Sequence, residues 1–221
     1  MVVLTSLRWF PVLAVVYTGA LAALHQRNYT ALRSIAVDAR VRDPMDGRVP
    51  FIARAHPWRP FSRFEVVPQL LAFRASGVEL NRELAEELIA GSRGKRYTPV
   101  SDYLHDMLRN KFRTDLPDDA EYSELFDRAE ALLALIAIDA DSHLRRERTY
   151  FDGPYFGRFT WREQYMHGDG GVAGSLAREL SHQGEQWGPL RAGLFGGSLE
   201  RATVALQAFR TGADEARRHR W

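Results

Sequence analysis

The stretch AEYSELFDRAEALLALIAIDADSHLRRER, residues 120–148, constrains the fold more than any other part of the chain. Leu125, Leu132, Leu133, Ile136, Ala137 and Ala140 fall on one broad face of an α-helix. Acids gather at the start of this stretch and arginines at its end, the order that complements a helix dipole. A stripe this wide must be covered by other elements, so the stretch predicts a central helix with neighbours packed on it. Asp139 and Asp141 fall at the edge of the stripe or beyond it.

The neighbours read as helices as well. Leu13, Val16, Ala20 and Leu24 share a face, with Pro11 in the first turn where its missing N–H does no harm. After the break HQRN (25–28), Tyr29, Leu32, Ile35 and Ala36 share another face. A connection this short predicts an antiparallel helical hairpin. The small residues around Gly19 and Ala22 give the pair a tetratricopeptide-like look, but no second copy follows at that period. RDPMDGRVP (42–50) reads as a loop. Asn81 is placed to cap a helix that buries Leu84, Leu88 and Ile89. Tyr103, Leu104, Met107, Leu108 and Phe112 define the next helix, and RTDLPDDAEY (113–122) breaks it. GLFGGS (193–198) reads as a helix break in which Ser198 caps the last helix, with Arg201 three residues on. Helix N-termini attract anions, so this break is also a minor candidate ligand site. The expected fold is all-α. It is an irregular multi-helix bundle with a tetratricopeptide-like N-terminal hairpin, in one helical domain over 1–221 with a lobe boundary near 113–120.

Composition narrows the function. The 221 residues contain no cysteine, which removes disulfides, Cys-based zinc sites and Cys nucleophiles. A net charge of +2 gives no global field for nucleic acid. Only Lys95 and Lys111 are lysines; the other basic side chains are arginines, whose planar fork suits carboxylates and phosphates. The apolar run 9–24 is shorter than the roughly 20 residues that span a bilayer and is interrupted by Tyr17 and Thr18. It reads as a buried core helix, with a signal peptide or a membrane anchor as the alternative. No membrane association is expected, and the expected location is cytoplasmic.

Two acid–histidine pairs have the i,i+3 spacing of di-iron bundles: Asp102 with His105, and Glu179 with His182. Asp139 and His143 add an i,i+4 pair. One motif carries Asp in place of Glu, and Gly184 interrupts the helix of the other, so surface ion pairs are the simpler reading and no metal or other cofactor is expected. GSRGKRYT (91–98) lacks the spacing of a phosphate-binding loop. RVPFIARAHPWRPF (48–61) interleaves arginines with aromatic residues. Its prolines forbid a continuous helix, so it reads as a short helix from Pro50 to His56 followed by a stiff corner anchored by Trp58 and Phe61. Arg54, Arg59 and Arg63 then remain outside as candidate binding residues, with Asp127 and Glu130 of the central helix as carboxylates they could face.

Three segments carry a resemblance: VVYTGALAALHQRNYTALRSI, the HPWRPF corner, and FDRAEALLALIAIDA followed by GRFTWR. Together they are similar to the helical C-terminal regions of large bacterial multidomain defence-type proteins, SIR2-like or P-loop ATPase-associated. The resemblance implies a sensor, docking or scaffold role with a protein partner, and it transfers no functional residue. The expectation is a non-enzymatic helical interaction, sensor or scaffold module, a regulatory partner of a bacterial effector. The alternative is a metal- or small-ligand-binding helical enzyme built on the acid–histidine pairs.

Overall fold

The computed structural model describes residues 9–43, 46–55, 66–94, 98–143, 157–162 and 171–218. Helix α1 (Trp9–His25) turns back into α2 (Tyr29–Arg33), which runs on as a π-helical turn, Ser34–Asp38. Strands β1 (Arg40–Asp43) and β2 (Gly47–Pro50) pair antiparallel, and a 3-10 turn follows at Phe51–Ala53. Next come α3 (Val66–Ala75), α4 (Arg82–Ala90), α5 (Pro99–Phe112) and α6 (Asp119–Ser142). The short α7 (Phe159–Arg162), then α8 (Val172–Gln183), α9 (Gly188–Arg191) and α10 (Leu199–Arg218), complete the described chain. The protein is mostly helical, as the sequence predicts.

Helix α6 is the axis of the fold. Asp118 caps it, its side chain accepting from Glu121 N at 2.8 Å, and Asp119 and Glu121 sit in the first turn where the dipole favours them. From Ala129 to Ala140 every residue is buried, so the expected stripe is in fact a helix covered on all sides. Helices α1, α8 and α10 and the 3-10 turn at Phe51 pack on it. Glu130 and Asp139 are therefore interior residues, and Asp139 does not lie at the edge of an apolar stripe.

The N-terminal hairpin forms through its turn. Arg27 takes a left-handed conformation, φ 52°, so that Asn28 N donates back to Ala23 O at 2.7 Å and Arg27 N to Leu24 O at 2.9 Å. That is the reverse turn that ends many helices, although the usual residue at its third position is glycine. Asn28 then caps the next helix, accepting from Ala31 N at 3.0 Å. A β-carbon on Gly19 would come within 2.5 Å of Ile35 Cδ1, so the missing side chain lets the π-turn lie close on α1. The tetratricopeptide-like pairing is not reproduced, because the second arm leaves helical geometry for β1 after Asp38. Leu13, Val16, Tyr17, Ala20, Leu21, Ala23 and Leu24 of α1 are spent in the core. No helix among the described residues is long and apolar enough to cross a membrane.

The stretch read as a loop at 42–50 is largely a β-hairpin. Alternation sets Val41 and Val49, paired across the ladder, on one face and Arg40, Arg48 and Pro50 on the other. Val49 is fully buried. Arg54 fixes this hairpin. Its Nε lies 2.6 Å from Asp43 Oδ2 and its Nη2 lies 2.9 Å from Asp46 Oδ2, while Nη1 donates to Ala53 O at 2.9 Å. Asp141 at the end of α6 stands 3.7 Å from the same guanidinium. Arg54 is thus buried at 8% exposure rather than pointing outward, and it faces these acids rather than Asp127 or Glu130. The predicted helix from Pro50 is only the 3-10 turn. The corner beyond it, with Trp58, Arg59 and Arg63, lies outside the described residues.

Helices α3 and α4 form a satellite hairpin around Phe73, Leu84 and Leu88, and α3 packs on α5. Asn81 caps α4 as expected, accepting from Leu84 N at 2.8 Å, but Ile89 is exposed at 70% rather than buried. The break after α5 is pinned. Arg109 donates from Nη1 to Leu116 O and from Nη2 to Pro117 O, both at 2.8 Å.

Arg54→Ala is expected to cost about 2–4 kcal/mol, because it removes the buried cation shared by the half-buried carboxylates of Asp43 and Asp46. Arg54→Lys is expected to recover only part of this, since one ammonium cannot span two carboxylates and a carbonyl. Urea unfolding of the three proteins measures both numbers.

Candidate functional site: an arginine-lined pocket

Three stretches distant in sequence meet around a cavity of about 360 Å³. The end of α2 and the π-turn supply Arg33, Val37 and Asp38; the hairpin supplies Arg40, Arg48 and Pro50. The last turns of α6 supply Ile136, Asp139, Ala140 and His143. The loop before α10 supplies Gly193, Phe195 and Gly196, and α10 itself supplies Arg201.

The loop is the most constrained wall. Gly193, Phe195, Gly196 and Gly197 all have positive φ, between 55° and 81°. For Phe195 this conformation costs roughly 1–2 kcal/mol. Its ring is held by stacking on Trp187, with centroids 5.9 Å apart, and both side chains are buried at 2% exposure. The glycines make room for guanidinium groups. A β-carbon on Gly193 would stand 2.5 Å from Arg33 Nη1, and one on Gly196 would stand 2.6 Å from Arg201 Nη1. Ser198 Oγ accepts from Arg201 N at 3.3 Å, as the sequence predicts, which sets the first turn of α10.

Two of the arginines are partly neutralised and two are not. Arg201 binds Asp139 through Nε at 3.0 Å and Nη2 at 2.7 Å, a bidentate fork on a buried carboxylate. Arg33 Nε meets Asp38 Oδ1 at 3.3 Å, and its Nη1 donates to Ala192 O at 3.4 Å. Among the described residues, the Arg40 guanidinium donates only to the Arg48 carbonyl, at 3.3 Å. The Arg48 guanidinium meets no partner among the described residues. Four guanidinium groups therefore face two carboxylates, and the surplus of two positive charges sits on the hairpin side. His143 closes the rim, its Nδ1 donating to Asp139 O at 2.7 Å.

The acid–histidine pairs do different work. His105 is buried. Its Nδ1 lies 2.8 Å from Asp106 Oδ1, its Nε2 lies 3.1 Å from Ser123 Oγ, and its ring packs against Tyr122 and Phe126. Burial lowers its pKa against the opposing pull of Asp106. Asp102 is buried on the same helix, so this pair is not a surface pair. Glu179 is taken by Arg128 in a bidentate bridge at 2.6 and 2.7 Å and also accepts from Trp187 Nε1 at 3.3 Å. Burial works to raise its pKa, but the Arg128 fork outweighs it and the net shift is downward. His182 is exposed. Among the described residues no group of three or more acids and histidines is placed to hold a metal ion.

A second polar cluster lies inside the fold. Glu130, fully buried, accepts from Tyr17 Oη at 2.7 Å. Ser101, which accepts from Arg158 N at 3.0 Å, hydrogen-bonds the same carboxyl. Gly157 lies against it so closely that a β-carbon there would overlap the carboxyl group. Nearby, Asp127 pairs with Arg162 Nη1 at 2.6 Å and with Arg158 Nε at 4.0 Å, which ties α7 to α6. Burial pushes Glu130 up to about 7 despite the two hydrogen bonds. The fold therefore holds the Glu130 proton more tightly than the unfolded chain does. Stability is full below the unfolded value of 4.5 and is lost as pH rises through about 7.

Glu130→Gln keeps the shape without the charge. It is expected to raise stability at pH 8 by about 3 kcal/mol and to flatten the decline between pH 5 and 8. Thermal melts across that pH range test this; a variant with the wild-type pH profile would assign the decline to another group. No protein-family model matches this chain, and no curated protein or solved structure is significantly similar to it.

Proposed function

We propose that the protein is a non-enzymatic helical binding module, a sensor or scaffold that takes a small anionic ligand between its β-hairpin and its glycine loop. One observation carries this reading: four guanidinium groups line one cavity of about 360 Å³ against two carboxylates. The size is that of a small-molecule site, and arginine forks are the side chains best suited to carboxylates and phosphates. The cavity joins residues 33–50, 136–143 and 193–201, so an anion bound there would tie together segments that the backbone connects only at long range. That is the physical basis for a sensor, because occupancy would stiffen one end of the bundle. A protein partner that reads this end fits the regulatory role suggested by the resemblance to helical regions of bacterial defence-type proteins.

An anion at one hundred times its dissociation constant stabilises the native state by about 2.7 kcal/mol, which for a chain of this length raises Tm by about 5–10 °C. Differential scanning fluorimetry with citrate and with inorganic phosphate, at constant ionic strength, is expected to show this rise. Arg48→Glu reverses an exposed charge that contacts no described side chain. It is expected to leave the unliganded Tm within about 2 °C and to abolish the shift. An equal shift in the variant would place anion binding elsewhere and end this reading.

A further inference from the structure

We infer that the ligand is a small phosphate monoester, a dianionic phosphoryl group on a compact organic body; this rests on the anion-pocket reading above. Charge is the first argument. The surplus of two positive charges matches a phosphate monoester, which carries nearly two negative charges at neutral pH, and exceeds a single carboxylate. Donor geometry is the second. Among the described residues, Arg201 Nη1 and Arg33 Nη2 meet no partner on the glycine-loop side, and neither do Arg40 Nη2 and the Arg48 guanidinium on the hairpin side. Donors on two walls suit the three diverging oxygens of a phosphoryl group, whereas a flat carboxylate is satisfied by one fork. The glycines at 193 and 196 belong to this arrangement, since side chains there would displace the two guanidinium groups they abut.

The rest of the lining defines the organic part. Val37, Pro50, Ile136, Ala140 and Phe195 supply apolar wall beside the arginines. A cavity of about 360 Å³ holds a phosphoryl group and a body about the size of one ring. It does not hold a polymer.

The test is isothermal titration of the full chain at pH 8 and fixed ionic strength with phenyl phosphate, phenyl sulfate, phthalate and inorganic phosphate. Phenyl sulfate keeps the tetrahedral shape with one charge, and phthalate keeps two charges on planar groups. Phenyl phosphate is expected to bind at least tenfold more tightly than each of the other three. Arg40→Gln/Arg48→Gln is expected to weaken it at least tenfold while leaving the unliganded melting temperature within about 2 °C. If phthalate binds as tightly, the phosphate assignment is overturned while the anion pocket stands. Inorganic phosphate binding equally well would overturn the organic body. If a phosphoserine peptide binds and phenyl phosphate does not, the ligand is macromolecular and the inference is wrong. Failure of all the anions to bind removes both this inference and the reading beneath it.

Discussion

Burying a charged helix on every side is the constraint on which the rest of the structure depends. Helix α6 gains the apolar area of the whole central core, yet it carries Asp127, Glu130 and Asp139 into that core. An unpaired carboxylate in such a place costs several kcal/mol, so each needs a partner that the helix cannot supply. The partners come from segments later in the chain or distant in it. Arg158 and Arg162 serve Asp127, Tyr17 and Ser101 serve Glu130, and Arg201 serves Asp139. The positions of α7 and α10 relative to α6 are thus set by charge as well as by packing. Arginine suits the task because its fork satisfies both oxygens of a buried carboxylate and, at Asp139, keeps further donors free.

A second arginine works the same way at the edge of the core. Arg54 gathers Asp43, Asp46 and Asp141, which fixes the β-hairpin against the end of α6. The hairpin has little else to hold it, because two short strands are marginal on their own. Val49 supplies the apolar anchor, and Arg54 supplies the charged one. The alternation of the strands then does the rest. With valines turned to the core, Arg40 and Arg48 must face the other way, over the cavity that Asp139 and Arg201 close from the opposite side.

Much of the fold was legible in the sequence. The periodicity of 120–142 marked the central helix, Asn81 and Ser198 marked helix starts, and HQRN marked a turn. What stayed hidden depends on contacts between distant segments. Asp139 reads as an edge acid in the sequence yet is buried, because helical spacing shows which residues share a face, not whether the opposite face is also covered. The RDPMDGRVP segment reads as a loop because its strands are only four residues each and Arg54, which pairs with Asp43 and Asp46, lies outside the segment. The candidate site was half visible. GLFGGS marks the start of α10 and Asp139 pairs with His143 by spacing, but the pocket is also lined by Arg33, Arg40 and Arg48. No local pattern distinguishes those from the many other arginines of this chain.

Arginines at the pocket divide by what folding requires of them. Arg201 neutralises a buried carboxylate, and Arg33 ties the end of α2 to the segment before the glycine loop, so stability accounts for both. Arg40 and Arg48 have no such account. They are exposed, their guanidinium groups make one hydrogen bond among the described residues, from Arg40 to the Arg48 carbonyl, and they lie across a concave surface from two other guanidinium groups. Like charges facing one another across a cavity weaken the native state slightly, an effect that water and salt screen but do not reverse. The surplus sits on the two strands of the hairpin that Arg54 holds through Asp43 and Asp46, and it is the small repulsion across the cavity that the anion-pocket proposal would explain. Under the anion-pocket proposal an entering anion would offset that repulsion, so the empty and occupied states would differ in free energy and a ligand could shift the balance between them.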